Sequence, residues 1–304
     1  MLSPSLAAKR ARFATRARFG NEVRRARPLL GTLVEIRVTA ALTEEKLHMA
    51  IGAAFAAIER VQALMSYHDP ASELSRINRQ AASSEQQIDP ETYTVLEAAL
   101  RFAALSNGAF DPCVGEQLEK WGYLPPCAAT AEGARTLGGS WLDVHLIRPG
   151  RVRLSRPVRL DLGGIAKGYA VDRAVDVLQR AGIGRILVNA GGDLRIAGDW
   201  EQQIRLRHAH TPHLSAGVLA LSNAALATSA AYYSRRRLSF GEVSALVDPR
   251  RAMPYIENGS MTVRAADCMS ADALTKVALF APPEITERAL AACGAQALVQ
   301  PAAA

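Results

Sequence analysis

Hydrophobic and polar residues alternate over residues 33–38, and this two-residue period predicts a β-strand with one buried face. A three- and four-residue spacing follows, the period of an amphipathic helix, at Leu47, Ile51, Phe55, Ile58, Val61 and Met65. Thr43 is a suitable N-cap for this helix, and Glu44 and Glu45 place acidic groups in its first turn. The pattern therefore predicts a strand followed by a long helix.

The later elements are shorter and their order is irregular. A second helix is predicted between Asp89-Pro90, which suit its start, and Asn107-Gly108, which suit its end. Short strands are predicted at residues 152–154, 158–160 and 185–188. A further helix is predicted to carry Val171, Val175 and Leu178, and two more lie near residues 270–280 and 284–293. Because both hairpins and crossovers occur, the predicted fold class is α+β, with mixed, mostly antiparallel sheets packed against helices.

Composition and charge indicate a globular protein with a basic N-terminal segment. The 304 residues are 49% hydrophobic, and 36 basic against 29 acidic residues give a formal net charge of +7. Residues 1–28 contain eight basic residues and one acidic residue, so the rest of the chain is neutral. We predict a basic disordered arm at residues 1–26 and one domain at residues 27–304. The neutral body argues against a nucleic-acid partner.

The N-terminal segment has no recognisable export or membrane signal. No apolar stretch of about 7–15 residues follows its basic residues, and no run approaches the ~18 apolar residues of a membrane span. The cysteines share no metal-ligand spacing and are expected to be free thiols in a reducing compartment: Cys113, Cys127, Cys268 and Cys293. We therefore expect a cytoplasmic protein without a membrane span.

One stretch offers groups that suit an anion. Residues 161–164 (DLGG) follow a predicted strand and end in two glycines, and Lys167 lies near the start of the next helix. The N–H groups at a helix start and a nearby ammonium suit a phosphate. A purely structural glycine turn explains the same pattern equally well.

A second stretch offers groups that suit a cation. With Ser270 as the predicted N-cap, Asp272, Thr275 and Lys276 fall on one face of the following helix. Two oxygen-bearing side chains on one face can hold a hard cation such as Mg²⁺. Taken alone, an ordinary Asp272–Lys276 ion pair is the better explanation.

Eight short motifs occur in one order between residues 27 and 280, and together they resemble the ApbE family of FAD:protein FMN transferases. They are RPLLGT, MSYHDPASELSRIN, GAFDPCVG, DLGGIAKGYAVD, VNAGGDLRIAG, ATSAAY, VDPR and MSADALTKVALF. The resemblance implies an ApbE-like α+β fold. It also implies an Mg²⁺-dependent enzyme that cleaves FAD, attaches FMN through a phosphoester to a threonine of an acceptor protein, and releases AMP.

The resemblance further implies a set of site residues. FAD would be contacted by Leu30, His68, Ala109, Phe110, Asp111, Asp161, Lys167 and Leu246. The metal ion would be held by the backbone oxygen of Gly164 together with Asp272 and Thr275, and Asp272 is also the predicted catalytic residue. His68 stands where the family has a tyrosine, and its ring would stack on a ring of FAD.

Two departures from the family pattern bear on activity. Ala245 occupies the position of a family histidine that could serve as general base, so the base stays open between Asp272, Asp248 and one of three histidines. These histidines are His208, His210 and His213. Lys276 occupies the position of a metal-binding threonine, and we expect its ammonium to weaken metal binding. An FAD-binding protein or FAD pyrophosphatase without protein transfer is the alternative function.

Overall fold

The computed structural model of the chain describes residues 20–127, 139–209, 211 and 213–300. The central layer of this part is one seven-stranded sheet. From edge to edge its strands, numbered along the chain, are β1 (Asn21–Leu29), β2 (Thr32–Ala40), β6 (Arg185–Ala190), β7 (Asp193–Gly198), β10 (Ala224–Ala230), β15 (Ser260–Ala265) and β16 (Gln296–Gln300). Every neighbouring pair is antiparallel, which confirms the predicted fold class.

Smaller strand groups surround this sheet. They are the three-stranded sheet of β3 (Gln86–Gln87), β5 (Arg151–Leu154) and β4 (Val144–Ile147), and the pairs β8 (Gln202–Arg207) with β9 (Ser215–Leu221), β11 (Arg236–Leu238) with β12 (Gly241–Val243), and β13 (Val247–Asp248) with β14 (Met253–Pro254). The described helices are α1 (Glu44–Met65), α2 (Glu73–Gln80), α3 (Pro90–Leu105), α4 (Gly115–Lys120), α5 (Ala166–Arg180), α6 (Cys268–Phe280) and α7 (Pro283–Ala292). None of them is long and apolar enough to cross a membrane.

The two faces of the main sheet are buried against different partners. Helix α1 packs on α5, and α5 packs on α6, so these three helices cover one face. The alternation along β6 shows the division, because Ile186 and Val188 join this larger core, whereas Leu187 joins a smaller cluster on the other face. The smaller cluster is partly covered by Ile204 and Leu219 of the β8–β9 hairpin.

Local signals at the helix ends act as predicted. The side chains of Thr43 and Asp89 accept backbone N–H groups in the first turns of α1 and α3. Helix α3 ends just before Asn107 and Gly108, which adopt positive φ angles of 50° and 75°. These termini depend on neighbouring residues alone, and the sequence was therefore sufficient to place them.

The predicted boundary of the N-terminal arm is wrong. Strand β1 begins at Asn21, so residues 21–26 belong to the main sheet, where the side chain of Val23 is buried. Two arginines of this strand are also engaged, since Arg24 pairs with Glu35 of β2 and Arg27 pairs with Glu59 of α1. The remainder of the predicted arm, residues 1–19, lies outside the described residues.

The predicted strand at residues 158–160 is also wrong. The side-chain amide of Asn78 takes the place of a neighbouring strand: its Oδ1 accepts the N–H of Leu160 at 2.8 Å, and its Nδ2 donates to the Leu160 carbonyl at 2.9 Å. On either side, the Arg159 carbonyl accepts from Gly115 and the Asp161 amide donates to Pro112. The segment is therefore held by hydrogen bonds but has no strand partner among the described residues.

The N-cap of α6 is one position that the sequence placed incorrectly. Asp267, rather than Ser270, caps this helix, and its Oδ1 accepts the N–H of Ser270 at 2.7 Å. The helix can start this early because the carboxylate of Asp172 on α5 accepts the N–H groups of Cys268 and Met269 at 2.9 and 2.8 Å. A contact from another helix thus fixes the start of α6.

Candidate functional site

A cavity of about 770 Å³ lies between the β1–β2 turn, the end of α1, the turn after α3, the start of α5, and α6. Pockets of several hundred Å³ are typical of small-molecule and cofactor sites. All eight residues predicted to contact FAD line this cavity: Leu30, His68, Ala109, Phe110, Asp111, Asp161, Lys167 and Leu246. Gly164 lines it as well. The fold therefore brings together these residues from five separate parts of the chain.

The β1–β2 turn supplies an apolar part of the wall. Leu30 and Gly31 both have positive φ, 55° and 70°, which suits a two-residue hairpin turn but is rarely adopted by leucine. The Leu30 amide donates to Oε1 of Gln62 on α1 at 2.6 Å, and this bond holds the turn against the helix. The strained turn thereby keeps the Leu30 side chain at the cavity.

The turn after α3 supplies a second apolar surface and a half-buried acid. The Phe110 ring packs edge-on against Phe102, with centroids 6.2 Å apart. The two carboxylate oxygens of Asp111 accept the N–H groups of Cys113, at 2.8 Å, and Trp141, at 3.1 Å. Burial raises the pKa of Asp111, and these two bonds oppose that shift. Because both oxygens are engaged, Asp111 fixes the shape of the turn.

His68 lies on the loop between α1 and α2, at the exposed edge of the cavity. Ser72 fixes this loop, because its Oγ donates to the Ser66 carbonyl at 2.6 Å and accepts the Ser75 amide at 3.1 Å as the N-cap of α2. Asp69 accepts the Ala71 amide at 2.8 Å. The imidazole is therefore presented by a hydrogen-bonded loop, in a position open to a planar ligand.

Asp161, Gly163 and Gly164 form another part of the cavity wall. The Asp161 amide donates to Pro112 at 2.7 Å, and its Oδ1 accepts the Gly163 amide at 3.2 Å. Burial raises the pKa of the Asp161 carboxyl, whereas the Gly163 hydrogen bond and the charges of His68 and Lys276 lower it. The carboxyl group is thus a half-buried acid that lines the cavity.

Two ammonium groups and two carboxylates form a charged cluster at the start of α5. Lys167 donates to Asp193 at the β6–β7 turn, and its Nζ lies 3.8 Å from Oδ2 of Asp272. Lys276 donates to Oδ1 of Asp272 and, at 3.0 Å, to its backbone carbonyl. Asp272 is only 1% exposed, while both lysines line the cavity. The carboxylate therefore holds two cations in place at the cavity wall.

This arrangement sets the charge state of Asp272. Burial alone would raise the pKa of its carboxyl, but the charges of Lys167 and Lys276 outweigh burial and hold the pKa below its usual value. A carboxylate with a lowered pKa is a weak proton acceptor. The catalytic role of Asp272 stays a prediction, and its surroundings suit the holding of two ammonium groups better than the removal of a proton.

A close crossing of α5 and α6 positions this cluster. A Cβ atom at Gly168 would lie 2.6 Å from the carbonyl carbon of Cys268 and 2.8 Å from Cα of Met269, which are both backbone atoms. The Gly168 amide also donates to Oδ2 of Asp272 at 3.2 Å. Glycine is therefore required here for the helices to approach closely enough for this bond.

Thr275 lies outside the cavity wall. Its hydroxyl donates to the Asp272 carbonyl at 2.7 Å and lies 2.6 Å from Oγ of Ser229 on β10, and the residue is fully buried. Successive helical residues are about 100° apart around the axis, so Thr275 faces the sheet while Lys276 faces the cavity. The structure thus places Lys276 at the charged cluster and gives Thr275 a role in helix–sheet packing.

Comparison with known proteins decides the family. The sequence model described as "ApbE family" matches residues 30–299. The chain belongs to the ApbE family. The match covers most of the domain that contains the cavity, and it confirms the family that the eight sequence motifs indicated.

Relatives within the ApbE family carry one functional name. The chain is 28% identical to "FAD:protein FMN transferase" of Treponema pallidum, over 83% of this chain and 77% of that one. It is 31% identical to "FAD:protein FMN transferase" of Vibrio cholerae, over 71% and 69% of the two chains.

Solved structures of ApbE proteins share the fold. "Flavin Transferase ApbE from Vibrio cholerae" superposes with a TM-score of 0.73 at 26% identity, over 92% of this chain and 93% of that one. The ApbE protein of Thermotoga maritima gives a TM-score of 0.73 at 29% identity, over 84% and 86%. The ApbE-like fold predicted from the motifs is therefore confirmed.

The position of the family histidine remains without a proton acceptor in this ApbE protein. Ala245 is exposed at the cavity wall. His208 and His213 lie between β8 and β9 and do not line the cavity, and His210 lies outside the described residues. Asp248 accepts the Arg250 amide at 3.1 Å, and its carboxylate is within 4 Å of two guanidinium groups. Among the described cavity-lining residues, His68 is the only histidine.

Sequence reasoning missed several residues that shape this ApbE site. Asp193 pairs with Lys167, Gln62 holds the Leu30 turn, and Ser229 engages Thr275. Asp193 had a sequence signal, because it directly follows Gly191-Gly192, a pair typical of a tight turn. The other two lie inside ordinary helical or strand patterns, and only the packing of distant elements reveals their contacts.

Proposed function

We propose that this chain is a FAD:protein FMN transferase that cleaves the diphosphate of FAD and attaches FMN to a threonine hydroxyl of an acceptor protein, releasing AMP. Membership in the ApbE family and relatives named as FAD:protein FMN transferases support this proposal. The observation that carries it is the cavity itself, which combines apolar surfaces at Leu30 and Phe110 with two ammonium groups at Lys167 and Lys276. This arrangement is complementary to a flavin nucleotide with a diphosphate.

The proposed reaction is a phosphoryl transfer. The threonine oxygen attacks the phosphorus of the FMN half, the bond from this phosphorus to the bridging oxygen breaks, and the bridging oxygen leaves with AMP. The hydroxyl proton passes to a base. Most catalysis in such reactions comes from positioning and from neutralisation of charge on the phosphate oxygens. Lys167 and Lys276 are the described cavity-lining residues whose charge suits that role.

Mg²⁺, which the family resemblance implies, fits the residues of this chain poorly. This ion takes about six oxygen ligands in near-octahedral geometry, and in proteins these are usually one or two carboxylates together with waters and substrate phosphates. The Asp272 carboxylate is engaged by Lys276 and by the Gly168 amide, and the Thr275 hydroxyl is engaged by Ser229. Within the described residues, no group of three or more histidine, cysteine or acidic side chains could hold a metal ion. Magnesium dependence therefore stays a prediction, and we derive no step through the metal.

One observation favours FAD pyrophosphatase activity as a second candidate function. Ala245 lies exposed at the cavity wall, where the family pattern has a histidine suited to activating the acceptor threonine. Without such a base, water can replace the threonine as nucleophile, and the products are then free FMN and AMP. A cytoplasmic location of enzyme and acceptor also stays a prediction, which immunoblotting of cell fractions would test.

The experiment that tests the proposal separates three outcomes. The protein is incubated with FAD, with and without Mg²⁺, and with an acceptor domain that contains a target threonine. In-gel flavin fluorescence reports labelled acceptor, and chromatography reports FMN and AMP. Fluorescent acceptor and AMP are expected. FMN and AMP without labelled acceptor would instead identify a pyrophosphatase, and bound but intact FAD would identify a binding protein.

A further inference from the structure

The cavity wall contains two lysines and no other described lysine or arginine. Its lining includes the acids Asp111 and Asp161 and the imidazole of His68, but Lys167 and Lys276 are the only described lysine or arginine residues in its wall. Lys167 lies at the start of α5, and Lys276 lies on α6. Any diphosphate in this cavity must therefore find its positive charge at these two groups or bring a cation with it.

The position of the Lys276 side chain bears directly on whether the two lysines or an added cation meet the diphosphate. A Cβ atom at Gly164 would lie 3.5 Å from Cε of Lys276, so the lysine stem passes beside Gly164, and its ammonium reaches Asp272. The lysine side chain thus runs beside the glycine and ends at the carboxylate, the two groups that the family pattern assigns to a metal ion. A charged group of the chain itself therefore engages the carboxylate that a cation would need.

The ammonium of Lys276 keeps a donor for a ligand. An ammonium group has three N–H donors. Two of them point to Asp272, one to the carboxylate and one to the backbone carbonyl, so the third remains for the cavity that the residue lines. Lys167 resembles it, because its Nζ is held by Asp193 and its side chain is 31% exposed. Both cations are therefore fixed in position before a ligand binds.

We infer that the ammonium groups of Lys276 and Lys167, rather than a divalent cation, carry the positive charge that meets the diphosphate of FAD in this chain. The inference rests on the proposed function, since it takes FAD as the ligand. Asp272 fixes Lys276 and orients it, and the pair takes the place of a metal ion and its carboxylate ligand. FAD binding by this protein accordingly needs no divalent cation.

The test measures FAD binding to the full chain by calorimetry, in EDTA and in Mg²⁺. For the wild type we expect the Kd to differ by less than about threefold between the two conditions. Lys276→Met should raise the Kd in EDTA by about tenfold or more, the effect of losing one charge-assisted hydrogen bond. Lys276→Arg keeps the charge and should stay within about threefold of the wild type. Lys46→Met, at an exposed site outside the cavity, is the matched control and should have no effect.

A second variant probes the metal directly. In Lys276→Thr the ammonium is removed and an oxygen side chain takes its place, so Mg²⁺ titrated into the FAD complex should bind more tightly than to the wild-type complex. If FAD binding by the wild type disappeared in EDTA and returned with Mg²⁺, this inference would be overturned, but the proposed function would not. Micromolar Mg²⁺ binding to the wild-type complex that does not tighten in Lys276→Thr would also overturn the inference. If FAD bound under neither condition, the proposed function itself would be refuted.

Discussion

The close crossing of α5 and α6 predicts an unusual response to a glycine-to-alanine substitution. Alanine normally stabilises a helix interior over glycine by about 0.5–1 kcal/mol. At Gly168, however, the new methyl group would approach backbone atoms of Cys268 and Met269 to within 2.6–2.8 Å. Ordinary contacts of this kind exceed about 3.4 Å, so the two helices must separate by several tenths of an ångström or more.

The size of the effect follows from two opposed contributions. Forcing an extra methyl group into a packed interior costs about 1–3 kcal/mol, which exceeds the gain in helix propensity. We therefore expect Gly168→Ala to lower the free energy of unfolding by about 1–2 kcal/mol. Because Lys167 lies on α5 and Asp272 on α6, the separation should also disturb the charged cluster and weaken FAD binding.

Gly52→Ala is the matched control for this experiment. Gly52 also lies inside a helix, α1, but a Cβ atom there would meet nothing within 4 Å. This variant should be more stable than the wild type by about 0.5–1 kcal/mol and should bind FAD unchanged. Urea unfolding followed by tryptophan fluorescence measures both stabilities. A Gly168→Ala protein at least as stable as Gly52→Ala would refute the reasoning about the helix crossing.

Three further substitutions test other parts of the account. Asn78→Ala should lower the free energy of unfolding by about 2–4 kcal/mol in urea titrations, because both buried backbone groups of Leu160 lose their partner; an effect below about 1 kcal/mol would contradict this. Burial raises the pKa of Asp172 from 3.8 to about 6. The contribution of this group to the free energy of unfolding is therefore greatest below about pH 4. It falls by on the order of 3 kcal/mol as the pH rises through 6. Asp172→Asn should show a smaller fall than the wild type over this range, and equal pH profiles would contradict the prediction. His68→Ala should raise the Kd for FAD by about five- to tenfold if its ring stacks on the ligand, and an unchanged Kd in calorimetry would exclude that contact.

The sequence was sufficient where structure depends on neighbouring residues. The caps at Thr43 and Asp89 and the positive-φ stop at Asn107-Gly108 are local signals, and the structure has all three. The strand predicted at residues 158–160 failed because its backbone partner is a side chain, Asn78, about 80 positions earlier in the chain. Hydrophobic alternation indicates that side chains of a segment are buried, but a buried segment need not belong to a sheet.

The candidate site shows the same limit. Motifs identified the residues that line the cavity, and helical spacing placed Asp272, Thr275 and Lys276 near one another. That spacing did not show which of the neighbours Thr275 and Lys276 faces the cavity, because adjacent helical positions differ by about 100° in direction. The packing of α6 against β10 determines this, since it turns Thr275 toward Ser229 and Lys276 toward the cavity. Such a choice depends on tertiary contacts that no local pattern encodes.

The central claim is that this chain transfers FMN from FAD to a threonine of another protein, and peptide mass spectrometry tests it most directly. An acceptor domain is incubated with FAD and either the wild-type protein or Lys167→Met, digested, and mapped. The account predicts FMN on one threonine with the wild type, much less with Lys167→Met, and none when that threonine is replaced by alanine. An unmodified acceptor, recovered from a reaction in which FAD has been converted to FMN and AMP, would contradict it.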